Sequence, residues 1–448
     1  MPDAPTRLAL RGDLLDFTGT PALDEPASPA VRFRPDHWLL VEDGRIAGAL
    51  PGPTPPGEDW AREDHRGRLL MPGFIDTHVH CPQLDVIASY GSSLLDWLDT
   101  YTFPAEQRFA DAAAARAGSA LFLDALLAHG TTAAAVYPTV HAGSADALFE
   151  AAAARGMRLV TGKVLMDRHA PPALCDDVVG GQADCEALIA RWHGRGRAAY
   201  AVTVRFAITS TPPQLAMAGG LLRRHPGLYM QTHVAENRDE VRWAAELFPE
   251  ARSYLDVYHR AGLLDERAIL AHGIWLDDTD RALLADTGAH IAHCPTSNLF
   301  LGSGLFDWAA AREAGVRVSV ATDVGGGTTL SMPRTLAEAY KVQAMQGWRL
   351  SAWAALHAAT RGAAEALQLG GEIGSLEPGR LADVVAWDWS HGPVAAHRDR
   401  LAQAQALHAR VFAWMTLADE RQVAATWVAG VPRWRRAPDR APQVAALG

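Results

Sequence analysis

Eight apolar runs of β type, each followed by a stretch with helical spacing, leave the chain from residue 70 onward few architectures to adopt. The runs are "LMPGFIDTHVH" (70–80), "TTAAAVYPTV" (131–140), "RLVTGKVLMD" (158–167), "YAVTVRFAITST" (200–211), "GLYMQTHVAE" (227–236), "RAILAHG" (267–273), "AHIAHCPTSN" (289–298) and "VRVSVATDVG" (316–325). Between them lie pieces such as "DAAAARAGSALFLDALLAHG" and "NRDEVRWAAELFPEARSYLDVYHRAG", whose apolar residues recur at helical spacing. Gly130, Gly262, Gly288 and Gly315 supply helix-stop signals. Eight βα units over a span near the typical ~250 residues predict a (β/α)8 barrel. An open doubly wound sheet has the same rhythm, but no G-x-G-x-x-G follows the first run, which weakens a dinucleotide-binding version.

The flanks have another character. Residues 1–69 hold short segments interrupted by "PGPTPPGEDW", and residues 371–448 hold "GEIGSLEPGRLADVVAWD" and "QVAATWVAGVPRW", strand-and-turn sequence at both ends. The expected organisation is a small β-sandwich-like domain made from 1–69 and 371–448, split by a barrel over 70–370. A formal net charge of −10 offers no support for a nucleic-acid surface. No apolar run approaches membrane length and the N-terminus lacks a secretory layout, so a cytoplasmic protein without membrane partners is expected. The four cysteines form no C-x-x-C pair, which argues against a zinc knuckle, and the H-x-E…P-C-x-x-C deaminase signature is absent.

A barrel of this kind places its chemistry at the C-terminal ends of its strands. The first run ends in His78 and His80, two apart and so on one face of a strand, with Gln83 just beyond. Arg205 and Phe206 close the fourth, His233 and then Glu236 the fifth, His272 the sixth, His293 the seventh and Asp323 the eighth. Ionisable groups at the ends of apolar strands are costly unless paired or metal-bound. His78, His80, His233 and Asp323 can supply three nitrogens and an oxygen to one zinc-like ion with a position left for water. Such an ion lowers the pKa of a water and makes a nucleophile of it. Glu236 and His272 then remain to move protons, and Asp323 can take one from the water. Lys163 falls on the third run, whereas a bridging lysine of a two-metal site belongs where this chain has Arg205. A structural role for Lys163, or a contact behind the metal ligands, and a single metal are therefore expected. His293 is read as supporting the site indirectly, and the other histidines, His290 among them, as helix, loop or flank residues without a part in it.

"PGFIDTHVH", "THVAEN", "LAHG", "HCPTSN" and "ATDVGGG", in that order, resemble the amidohydrolase superfamily. Within it, "SSLLDWLDTYTFPAEQRF" (92–109), "GKVLMDR" (162–168), "QTHVAENRDEV" (231–241) and "IAHCPTSNLFLGSG" (291–304) are similar to the guanine deaminase branch. That resemblance implies hydrolytic deamination of guanine, a small-molecule purine base, to xanthine and ammonia at one zinc ion per chain, in a homodimer. Iron is a second metal that a His3Asp set accepts. The resemblance places the metal at His78, His80, His233 and Asp323, with His272 at or beside it, and the catalytic acid at Glu236. Purine contacts fall to Gln83, Arg205 and Phe206, with His233 beside the base. Cys81 and Pro82, where the branch often has Ala and Ser, alter the pocket rim. A deaminase of another amino-heterocycle (oxidised guanine, pterin, triazine or adenosine-like) would keep every metal residue and differ near Gln83, Arg205 and Phe206. A barrel serving only as a scaffold would lack a ligand or the acid, and this chain lacks neither.

Overall fold

The computed structural model of the protein describes residues 6–91 and 94–437; Ser92 and Ser93 of the "SSLLDW" motif lie outside the described residues. The strands in chain order are β1 (Arg7–Phe17), β2 (Val31–Glu42), β3 (Arg45–Pro51), β4 (Ala61–Pro72), β5 (Phe74–His80), β6 (Thr131–Tyr137), β7 (Arg158–Thr161), β8 (Val164–Leu165), β9 (Ala198–Val204), β10 (Tyr229–Val234), β11 (Ala268–His272), β12 (His290–His293), β13 (Arg317–Val320), β14 (Val384–Asp388), β15 (Val423–Val428) and β16 (Val431–Arg435). Among the described residues they form two sheets. One runs β16-β15-β14-β4-β1-β2-β3 and takes strands from both chain ends; the other runs β13-β12-β11-β10-β9-β7-β6-β5, with β8 beside β9.

The second sheet is parallel throughout and curls into a nearly closed barrel. Its strands are buried on both faces, and so β6, "TTAAAVY", and β11, "AILAH", read as continuous small and apolar residues. The seam between β13 and β5 is closed by hydrogen bonds: Asp323 N to His78 O (2.9 Å), His80 N to Val324 O (2.9 Å) and the hydroxyls of Thr77 and Ser319 (2.8 Å). The helices packed outside are cut to length by local chemistry. Asp111 caps the helix Ala112–Ala128 by accepting from Ala114 N at 2.8 Å, and Gly130, at φ 79°, turns the chain into β6.

The first apolar run is not one strand. Residues 70–72 finish β4 in the small sheet, and 74–80 make the first barrel strand, with Gly73 as the joint. A Cβ at Gly73 would overlap the Thr132 side chain, so glycine is what lets the two sheets approach. The remaining expected strands overrun at their C-terminal ends, where the sequence stays apolar after the ladder has stopped. "AHIAHCPTSN" is strand only to His293, and Pro295 begins a helix over Pro295–Phe300. "NRDEVRWAAELFPEARSYLDVYHRAG" makes two helices, Arg238–Leu247 and Tyr254–Arg260, because Pro249 follows the first and Ser253 caps the second. No helix among the described residues is long and apolar enough to cross a membrane.

Candidate metal centre

The C-terminal strand ends deliver their polar residues to one buried point. His78 Nε2 lies 3.3 Å from His80 Nε2 and 3.2 Å from Asp323 Oδ1, and His80 Nε2 lies 3.2 Å from His233 Nε2 and 3.3 Å from Asp323 Oδ1. His272 Nε2 sits 3.7 Å from Asp323 Oδ2 and 3.4 Å from Glu236 Oε2. One ligand atom from each of His78, His233, His272 and Asp323 falls within 4.8 Å of all the others.

Two of these imidazoles have their tautomer set from behind. His233 Nδ1 is 2.7 Å from Arg205 O, which only accepts, so Nδ1 carries the hydrogen and Nε2 a lone pair. His272 Nδ1 donates in the same way to Asn298 Oδ1 at 2.8 Å, leaving its buried Nε2 with no hydrogen-bond partner. Lone pairs turned toward one another in a dry site repel, and a cation between them removes the conflict. The spacing also fits: a tetrahedron with arms of about 2.0–2.1 Å, the usual Zn–N length, has edges of about 3.3–3.4 Å. The donor set therefore suits a divalent metal of zinc type.

Burial and neighbours separate the titratable groups. Burial lowers His80 to about 3 and His233 well below its ordinary value, with His78 adding to burial in both. Burial alone would raise Asp323, but His78 and His80 outweigh it and hold the carboxyl well below the carboxylate range. Glu236 moves the other way, pushed up to about 8 by burial and by the Asp323 charge. Ser303 Oγ donates to Glu236 Oε1 at 2.8 Å and fixes one face of that carboxyl. Behind it, Glu240 Oε2 accepts the Glu236 and Asn237 backbone N–H groups at 2.9 and 3.1 Å.

The backbone is bent to present these groups. His272 and Asp323 adopt left-handed φ values of 72° and 50°, a cost of roughly 1–3 kcal/mol each in non-glycine residues that concentrates at functional sites. Buried Asp76 ties β5 to the chain that carries Asp323, accepting from Thr322 N at 3.1 Å and from the Thr322 hydroxyl. The Tyr137 ring packs 4.9 Å from His78 and 4.6 Å from His80.

A pocket opens onto the cluster, lined by His80, Gln83, Leu94, Trp97, Leu98, Arg205, Phe206, His233, Glu236, His272, Leu301 and Asp323, among others. Every residue expected at the site is thus brought to this pocket or to the metal cluster beneath it. Two other residues do not line the pocket. Lys163 is buried against Asp176 in an ion pair and lines neither the pocket nor the metal cluster. His293 is buried with its ring 4.9 Å from Phe306 and does not line the pocket. His290 is a correction to the sequence reading: it lies on barrel strand β12, fully buried, rather than in a helix, loop or flank. Asn298, Ser303 and Glu240 carry no signal of a site role in the sequence. All three sit inside the quoted motifs, but their roles depend on partners that folding brings close.

Residues 69–432 match the Amidohydrolase family. The chain belongs to that family. This amidohydrolase is 43% identical to the guanine deaminase of Escherichia coli (strain K12) over 428 residues, 95% of this chain and 97% of that one. It is 42% identical to a probable guanine deaminase of Deinococcus radiodurans over 423 residues, covering 91% and 96% of the two chains. Its fold superposes on the E. coli guanine deaminase structure with a TM-score of 0.92, across 96% of this chain and all of that one. The guanine deaminase of C. acetobutylicum, with guanine bound in its active site, gives a TM-score of 0.85 at 25% identity over 96% of this chain and all of that one.

Proposed function

We propose that this amidohydrolase deaminates guanine by hydrolysis, taking one water and releasing xanthine and ammonia. The observation that carries the reading is the 43% identity that runs through 97% of the E. coli guanine deaminase. One zinc ion per chain would be held by His78, His80, His233 and Asp323, with His272 at or beside it. When bound there, zinc supplies Lewis acidity and brings the pKa of a water down to about 7.

The protein's own groups divide the remaining work. Glu236, pushed up to about 8, still carries its proton at neutral pH and can give it to the ring nitrogen beside the carbon that bears the amine. Protonation there drains charge from the ring and makes that carbon electrophilic. Asp323, held as a carboxylate, can accept the proton of the attacking water and pass it toward the departing ammonia. His272, with its Nδ1 hydrogen committed to Asn298, offers a lone pair at Nε2 and gains a donor there only when doubly protonated. Gln83, Arg205 and Phe206 line the pocket, which supports giving them the carbonyl edge and the face of the purine. Adenine has no such carbonyl and would leave those buried donors unpaired, which discriminates far more strongly than apolar shape.

The test is to incubate metal-replete protein with guanine and follow xanthine and ammonia together. Turnover that a chelator abolishes and zinc restores is expected. Metal-replete protein that leaves guanine untouched would discard guanine and send the search to other amino-heterocycles. The family likeness also favours a cytoplasmic homodimer; light scattering on the eluting protein checks the dimer.

A further inference from the structure

Glu106 is the residue behind the purine-facing wall. It lies on the short helix Phe103–Gln107, within the "LDTYTFPAEQRF" stretch, and is completely buried. Both of its carboxylate oxygens sit 2.7 Å from Arg205 Nη1, and Oε1 also accepts from Gln83 Nε2 at 3.3 Å. Gln83 is pinned from its other end, where Oε1 accepts the Gly325 N–H at 3.2 Å. The Arg205 guanidinium rests over the Phe103 ring at 5.4 Å. Arg205 and Gln83 line the pocket, whereas Glu106 does not. One carboxylate therefore holds two polar groups that line the pocket without lining it itself.

The charge matters as much as the geometry. A buried guanidinium with no counter-charge is costly and attracts anions, while a paired one presents hydrogen-bond donors on a wall of no net charge. Guanine is a neutral base. Xanthine is more acidic and loses a ring proton in mildly alkaline solution. We propose that Glu106 is a positioning and charge-balancing residue: it holds Arg205 and Gln83 in register for a neutral purine and prevents the guanidinium from retaining the anionic product. This rests on the guanine reading above.

The experiment compares wild-type protein with Glu106→Gln, Glu106→Asp and the double variant Glu106→Gln/Arg205→Gln, all metal-replete. Wild-type turnover of guanine is measured first, and its absence counts against the proposed function rather than against Glu106. Dissociation constants for xanthine and hypoxanthine are then measured by calorimetry in mildly alkaline buffer, where xanthine is largely anionic and hypoxanthine neutral. For Glu106→Gln, KM for guanine is expected to rise about tenfold or more, the scale on which losing one member of a buried charge pair is felt, with kcat changed less. Xanthine should tighten relative to hypoxanthine in Glu106→Gln, and the double variant should lose that preference while keeping the raised KM. Parallel changes in the two ligands, or an unchanged KM, overturn the proposal. Should Glu106→Gln not fold, Glu106→Asp decides. It keeps the charge one methylene further back, so KM should rise with the ligand ratio unchanged, and wild-type KM in that variant overturns the positioning role.

Discussion

Glu236 and Asp323 are two carboxyl groups in one buried pocket, shifted in opposite directions by what each faces. Asp323 is turned to His78 and His80 and stays charged; Glu236, buried beside that charge and hydrogen-bonded to Ser303, holds its proton. Pairs of acids pushed apart in this way divide donor and acceptor roles. Glu236→Gln is accordingly expected to keep wild-type metal content by elemental analysis while losing on the order of 10²–10⁴-fold in turnover of guanine. Near-wild-type turnover would remove Glu236 from the acid's role. Ser303→Ala, which takes one hydrogen bond from the same carboxyl, should cost about tenfold at most, since a neutral hydrogen bond is worth about 0.5–1.5 kcal/mol. At this scale the sequence discloses the groups that belong at strand ends, because an i, i+2 pair such as His78 and His80 or a lone acid after an apolar run is anomalous by itself. It conceals the residues that set those groups in place. Asn298, Ser303 and Glu106 look like ordinary helix and loop residues until folding brings His272, Glu236 and Arg205 against them, the last from 99 positions away.

Among the elements, the barrel strands were visible as apolar runs, but their ends were not, since the runs continue into buried loops. The third run shows why. Its ladder is interrupted at Gly162 and Lys163, with β7 on one side and β8 on the other, and the lysine leaves the strand to pair with Asp176. Lys163 is fully buried and its partner partly so, and burial raises Asp176 against the pull of the lysine. Lys163→Met should destabilise the protein by roughly 3 kcal/mol because it strands a poorly hydrated carboxylate, and Lys163→Met/Asp176→Leu should recover much of that. Urea unfolding midpoints measure both. Metal content should stay at the wild-type value in each variant, as the pair lies outside the histidine cluster.

For the whole molecule, the two sheets share one core rather than meeting at a movable joint. Trp387 of β14 packs 5.5 Å from Phe74 of β5 and 5.3 Å from Trp414, and a Cβ on Gly130 would come within 2.6 Å of its ring. Arg197, just before β9, donates to Asp383 Oδ1 from Nη1 at 3.0 Å. Calorimetry should therefore record a single cooperative transition for both sheets, and Trp387→Ala should lower the stability of the whole by about 3–5 kcal/mol without splitting it. The contribution of both chain ends to one sheet was legible in their shared strand-and-turn character, but the order of the strands was not, because it is decided by pairings across the length of the chain.

Those pairings have a consequence for synthesis. β4 lies beside β14, with Pro72 opposite Val384 and Leu70 opposite Ala386. At about 5–20 residues per second, the ribosome needs on the order of tens of seconds to emit the chain between them. Throughout that interval β1 to β4 can pair among themselves while the apolar side of β4 stays uncapped, an invitation to neighbouring nascent chains. Strands made after the barrel are thus the ones that cover a strand made before it, and a ribosome stalled inside the barrel would leave a product with that edge of β4 still open.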